Sequence, residues 1–102
     1  MTLLKENILD CKKVQIGEHS FKRMFERRIE TEDVLQVVYS GEIIKQYSDE
    51  KPYPAYLMLK FVKHKPIHII VAKNNENGSC FIVTVYEPDP ELWSADFKTK
   101  IK

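Results

Sequence analysis

Three strand-like runs joined by very short connections constrain this chain more than any other feature. AYLMLKFV (residues 55–62), IHIIVAK (67–73) and CFIVTVYE (80–87) are rich in β-branched and aromatic residues. Between them stand only KHKP (63–66) and NNENGS (74–79), the second containing an Asn-Gly pair that signals a hairpin. A parallel crossover needs about a dozen residues, so neighbouring runs pair antiparallel as a meander. EIIKQYS (42–48) reads as one more strand, set off by DEKPYP (49–54), whose two prolines exclude regular structure. The expectation is a four-stranded antiparallel sheet over about 42–87. Pro88, Asp89 and Pro90 then leave the ladder, and a short C-terminal segment (88–102) offers Trp93 and Phe97 to pack back.

The residues before the sheet read as helices, over about 2–41. TLLKENILDCK (2–12) places Leu3, Leu4, Ile8 and Cys11 at helical spacing behind a Thr2 cap, whereas Val14 to Ile16 is too brief to assign. From Gly17 to Gly41 two helices meet at a corner. Phe21, Met24, Phe25 and Ile29 collect on one side of the first, and His19, Arg23 and Arg27 form a ridge along another. Thr31 followed by Glu32 and Asp33 reads as the N-cap of the second, Val34, Leu35, Val37 and Val38 as its buried stripe, and Gly41 as its stop. The fold expected is α+β, a single domain with N-terminal helices on one face of the sheet.

Which face the helices cover follows from alternation. Leu57, Leu59, Phe61, Ile67, Ile69, Val71, Phe81, Val83 and Val85 are wholly apolar and form the expected helix-covered face. Tyr56, Met58, Lys60, His68, Ile70, Ile82, Thr84 and Tyr86 would form the other, with the composition of a surface that receives a partner or ligand.

A hydrophobic fraction of 43% and a charged fraction of 30% suit a globular chain, and a net charge of +1 argues against coating nucleic acid by overall charge. Local basic clusters remain: Lys22, Arg23, Arg27 and Arg28; Lys60, Lys63 and Lys65; Lys98, Lys100 and Lys102. Cys11 and Cys80 fit no CxxC or Cys/His spacing, so two reduced thiols in a cytoplasmic protein are expected rather than a disulfide or a zinc site. No signal segment and no membrane-spanning run is visible.

Glycine-rich phosphate loops, nucleophile elbows and carboxylate/His metal spacings are absent, so neither metal nor cofactor is expected. Imidazole, guanidinium, ammonium, phenol and hydroxyl groups remain. That set suits RNA cleavage by the neighbouring 2′-OH, which needs a base, cations on the phosphorane and an acid for the leaving 5′ oxygen. Each group also has a plain structural reading. The His19/Arg23/Arg27 ridge can be a solvated face, and His68 between two isoleucines a satisfied sheet histidine. Tyr47, Tyr53 and Tyr56 can simply pad a sheet edge.

The strings HSFKRMFERRIETEDVLQVVYSGEIIKQY (19–47), YPAYLMLKF (53–61), PIHIIVA (66–72) and FIVTVYEPDPELW (81–93) resemble the small bacterial domain-of-unknown-function family 4258. The resemblance runs over residues 16–97, with one departure: relatives often carry glycine where this chain has Arg28. That family is similar in fold to the RelE-like ribonuclease toxins of the barnase–EndoU–colicin–RelE group, helices followed by a four-stranded antiparallel sheet. Free-standing copies commonly neighbour a small zinc-finger antitoxin-like protein, the partner the resemblance implies. Position by position it points to His19, Arg23, His68, Thr84 and Tyr86. The combined expectation is a toxin-like, metal-independent endoribonuclease. His19 would be base or acid, Arg23 would grip phosphate, and Thr84 and Tyr86 would position it. Arg27, His68, Tyr56 and Lys60 would bind substrate. The alternatives are a protein-interaction module and an RNA-binding domain that stacks bases without cutting.

Overall fold

The computed structural model describes residues 9–101. In chain order these form β1 (Lys13–Ile16), α1 (Glu18–Glu26), α2 (Thr31–Ser40), β2 (Glu42–Tyr47), β3 (Ala55–Val62), β4 (Lys65–Asn74) and β5 (Ser79–Tyr86). The expected meander is present as β2 to β5, but β1 adds itself parallel to β5, giving the order β1-β5-β4-β3-β2. Among the described residues the fold is α+β with two helices and a five-stranded mixed sheet, a correction to the four antiparallel strands expected. β1 is only KVQI, and its partner lies at the far end of the chain, so no local pattern announces it. Most of the helix expected over 2–12 lies outside the described residues. The described part, Leu9 to Lys12, is not helical.

α1 ends earlier than the His/Arg ridge suggested. Arg27 is its C-cap, and Arg28 turns into the left-handed region at φ 59°. The Arg28 amide donates to the Phe25 carbonyl and the Ile29 amide to the Met24 carbonyl, while Met24 and Ile29 are both buried. This is a Schellman closure with its hydrophobic contact, in which glycine is the usual occupant of the position Arg28 holds. The N-cap of α2 is Glu30, one residue before the Thr31 expected, and the Glu30 amide donates to Asp33 Oδ2 at 3.1 Å. Gly41 ends α2 in extended backbone, φ −78°. Its lack of a side chain matters for another reason: a Cβ there would stand 2.4 Å from the Val37 carbonyl oxygen and 3.0 Å from that of Leu59.

Pairing register overturns the expected division of the sheet faces. β3 and β4 are joined by two residues, Lys63 and His64, both at positive φ, and Val62 pairs with Lys65. An even-length loop pairs even residues with odd ones, so Tyr56, Met58 and Lys60 lie opposite Val71, Ile69 and Ile67. A bulge at Val83 shifts β5 as well, placing Cys80, Ile82 and Val85 on one face. The helix-covered face therefore carries Tyr56, Met58, Val62, Ile67, Ile69, Val71, Cys80, Ile82 and Val85 against Met24, Ile29, Val34, Val37 and Val38. Each fully buried side chain of that size contributes about 1.5–3 kcal/mol. Phe21 and Phe25, expected in this layer, are 48% and 87% exposed.

Cys11 and Cys80 are disulfide-bonded, with Cα atoms 5.7 Å apart, which corrects the expectation of two reduced thiols. β1 makes them neighbours, because Val14 pairs with Cys80 and Lys12 donates its amide to the Gly78 carbonyl. The opposite face carries Leu57, Leu59, Phe61, His68, Ile70, Phe81, Thr84 and Tyr86. The segment after β5 folds over one end of it. Phe97 meets Phe61 edge-on, Trp93 meets His68 edge-on, and Lys98 pairs with Glu42 at 3.0 Å. Among the described residues no helix is long and apolar enough to cross a membrane.

Candidate functional site

The expected site residues separate onto different parts of the fold. His19 and Arg23 are exposed on α1, where Arg23 approaches Glu26 at 4.0 Å. α1 rests on the helix-covered face, held by Ser20 Oγ donating to the Ile82 carbonyl at 3.0 Å. Arg27 is used structurally, its guanidinium donating to the Val85 carbonyl. Tyr56 packs against the core on that same face, and Lys60 pairs with Ile67 there. Thr84, Tyr86 and His68 lie on the opposite face, with His68 paired to Tyr86 and Ile70 to Thr84. The sheet thus stands between His19 and Tyr86, and the single four-residue constellation expected from the sequence is not assembled.

The opposite face assembles a different one. His68 is fully buried, yet both ring nitrogens are engaged: Nε2 lies 2.8 Å from the Phe97 carbonyl oxygen and Nδ1 lies 3.1 Å from Tyr86 Oη. A carbonyl only accepts, so Nε2 carries the hydrogen and Nδ1 is left to accept from the Tyr86 hydroxyl. Burial lowers the His68 pKa, opposed by its bond to Phe97, so the ring rests neutral. Burial likewise raises the Tyr86 phenol, with the nearby Tyr47 adding to the effect. The Tyr86 oxygen, its hydrogen donated to His68, has only lone pairs left to offer another group.

Tyr86 also lines a groove of about 490 Å3, together with Ile44, Lys45, Tyr47, Leu57, Trp93, Lys98, Thr99 and Lys100. Among the described residues three lysines and no acid line it, although Lys98 also pairs with Glu42. A second hollow of about 440 Å3 adjoins it at Tyr47 and is lined by Tyr53, Ala55, Ile70, Ala72 and Val83 among others. The Lys45 ammonium lies 5.3 Å from the centre of the Tyr47 ring, within cation–π range. Of the groove's lining, Lys98 and Lys100 stand out in the sequence as part of a basic tail and Trp93 as a side chain free to pack back, whereas Lys45 carries no such signal. Trp93 and Phe97 do pack back as expected, but nothing local says that the tail reaches β2.

A third hollow, of about 110 Å3, lies at the helix corner between Arg27, Arg28, Lys63 and Lys65 and the carboxylates Glu30, Asp33 and Glu87. Its charges answer one another. Lys63 Nζ is 3.4 Å from the buried Asp33 and 3.5 Å from Glu30, which raises the Lys63 pKa. Among the described residues no group of three or more His, Cys, Asp and Glu side chains could hold a metal ion.

The sequence profile of the family described as a domain of unknown function (DUF4258) matches residues 16–87, well over half of the chain. The chain belongs to that family. Within the DUF4258 match lie the helix pair, β2 to β5 and both partners of the His68–Tyr86 bond. Trp93, Lys98 and Lys100, which line the groove, and Phe97, whose carbonyl holds His68, lie beyond the match. No curated protein and no solved structure matches the chain.

Proposed function

We propose that the protein is a metal-independent endoribonuclease that takes single-stranded RNA in the lysine-lined groove, with Tyr86 rather than His19 as the base. One observation carries this reading: Tyr86, its phenol hydrogen-bonded to a neutral histidine, lines a groove whose charged lining, among the described residues, is three lysines. In the reaction Tyr86 Oη takes the 2′ proton while its own proton passes to His68 Nδ1. The 2′ oxygen attacks phosphorus, the bond to the 5′ oxygen breaks, and a lysine ammonium protonates the leaving oxygen. Lys45, Lys98 and Lys100 offset the charge on the phosphorane. The products are a 2′,3′-cyclic phosphate and a 5′-hydroxyl. A RelE-like toxin architecture, and a toxin role with a zinc-finger antitoxin-like partner, rest on the family resemblance and belong to the same proposal.

The test is a labelled single-stranded RNA incubated with wild type, Tyr86→Phe and His19→Ala, with a chelator present throughout. The expected result is cleavage to cyclic-phosphate ends by wild type and His19→Ala, and a loss of about 100-fold or more in Tyr86→Phe. Equal cleavage by Tyr86→Phe would sink the assignment. A second reading has its own support: His68 is fully buried beneath Trp93, as a structural strut would be. On that reading the groove binds RNA without cutting, and wild type shifts the RNA in a gel while leaving it intact.

A further inference from the structure

The hollow beside the groove has a construction that alternation and register explain. One rank of the sheet runs Tyr47, Ala55, Ala72, Phe81 across β2, β3, β4 and β5. At about 4.8 Å per strand, the two aromatic positions stand roughly 14 Å apart with only two alanines between them. Two adjacent methyl groups make a low floor where the neighbouring rank carries Leu57 and Ile70. From the loop before β3, Tyr53 lays its ring parallel to Phe81, 8° between planes and 5.6 Å between centres. Phe81 backs Tyr53, and Tyr53 itself lines the hollow opposite Tyr47. The result is a slot with an apolar floor and aromatic walls, rimmed by Glu50 and Lys51.

We infer that this slot is a base-binding subsite that takes one unpaired nucleobase of an RNA strand. Its walls are flat rings, and base–aromatic stacking tolerates any base because each has a π-face. Its volume of about 440 Å3 admits a heterocycle with its sugar. Continuity argues for RNA over an apolar protein segment. Tyr47 is shared by the slot and the lysine-lined groove, so a base in the slot leaves its phosphate at Lys45 and the strand running on towards Lys98 and Lys100. The inference rests on the RNA reading above and adds to it the place where the strand is held by a base.

The experiment measures binding of the full chain to a fluorescent eight-nucleotide 2′-O-methyl RNA, which cannot be cut, at low salt. The wild type is compared with Ala72→Met, which fills the floor, and Tyr53→Ala, which removes a wall. Ala72 is half-buried on the open side, so methionine enters existing space, and circular dichroism checks both folds. The expected loss of affinity is about tenfold in each. Replacing single nucleotides with abasic ones should weaken the wild type at one position of the strand and leave Ala72→Met indifferent. Wild-type affinity in both variants would overturn the slot while leaving the RNA reading standing. Weakened variants with no abasic position that matters would also overturn it, since the contact would then be to backbone. No RNA binding by the wild type would remove both.

Discussion

Arg28 is an L-residue in a backbone region that costs about 1–2 kcal/mol for a side chain with a Cβ, at φ 59°. Glycine there is conformationally free, so Arg28→Gly should raise stability by about 0.5–1 kcal/mol, read as a higher urea midpoint with an unchanged slope. The same reasoning applies to His64, at φ 71° in the second position of the β3–β4 turn. Turns of this kind favour glycine, and His64→Gly should stabilise by a similar amount. His68 is the opposite case, a residue whose placement links stability to pH. Burial lowers its folded pKa below the ordinary imidazole value. The unfolded chain then binds more protons in that window, so stability is fully present above about pH 6.5 and falls as pH drops towards the folded pKa. Urea midpoints at pH 7.5 and pH 5 should show this fall, with a smaller one in His68→Gln.

At the scale of elements, junctions decide the architecture. Gly41 turns α2 into β2 where two carbonyl oxygens leave no room for a Cβ. Gly41→Ala should therefore cost about 1–3 kcal/mol in chemical denaturation, from overpacking against backbone that cannot yield. β1 is held to β5 by four residue pairs and by the Cys11–Cys80 bond, which closes a loop with a sequence separation of 69. Chain entropy for a loop of that size predicts a loss of about 4 kcal/mol on Cys80→Ser, measured against the oxidised wild type. The amides of β1 should lose hydrogen-exchange protection before those of β3 and β4. The bulge at Val83 is a third such junction: it turns Cys80 and Ile82 towards the helices while leaving Thr84 and Tyr86 on the open side. The α1–α2 pair, the β2–β5 strands and the hairpin signals were legible in the sequence because each depends on residues close together. β1, the bulges and the disulfide were not, because each depends on a partner far along the chain.

For the whole molecule, the two sides of the sheet have different tasks. One is filled by the helices, and the other is part covered by the C-terminal segment and part open as groove and slot. If RNA lies in that groove, its affinity should fall steeply with salt, and Lys45→Gln with Lys98→Gln and Lys100→Gln should flatten the log–log slope by about 2. Lys22→Gln on α1 should leave the slope unchanged, since α1 lies across the sheet. His68, Thr84 and Tyr86 could be singled out from sequence as polar residues in apolar strands, and they do share a face. His19 and Arg23 could be singled out just as readily, but they ended on the other side. What the sequence by itself determined was local: that residues 17–41 hold a helix pair, and that β2 to β5 are strands that follow one another as hairpins. Only the tertiary structure decided which side each residue faces. Side follows from register parity, from a single extra residue in β5 and from a tail that folds back, and none of these has a period that a short window of sequence can carry.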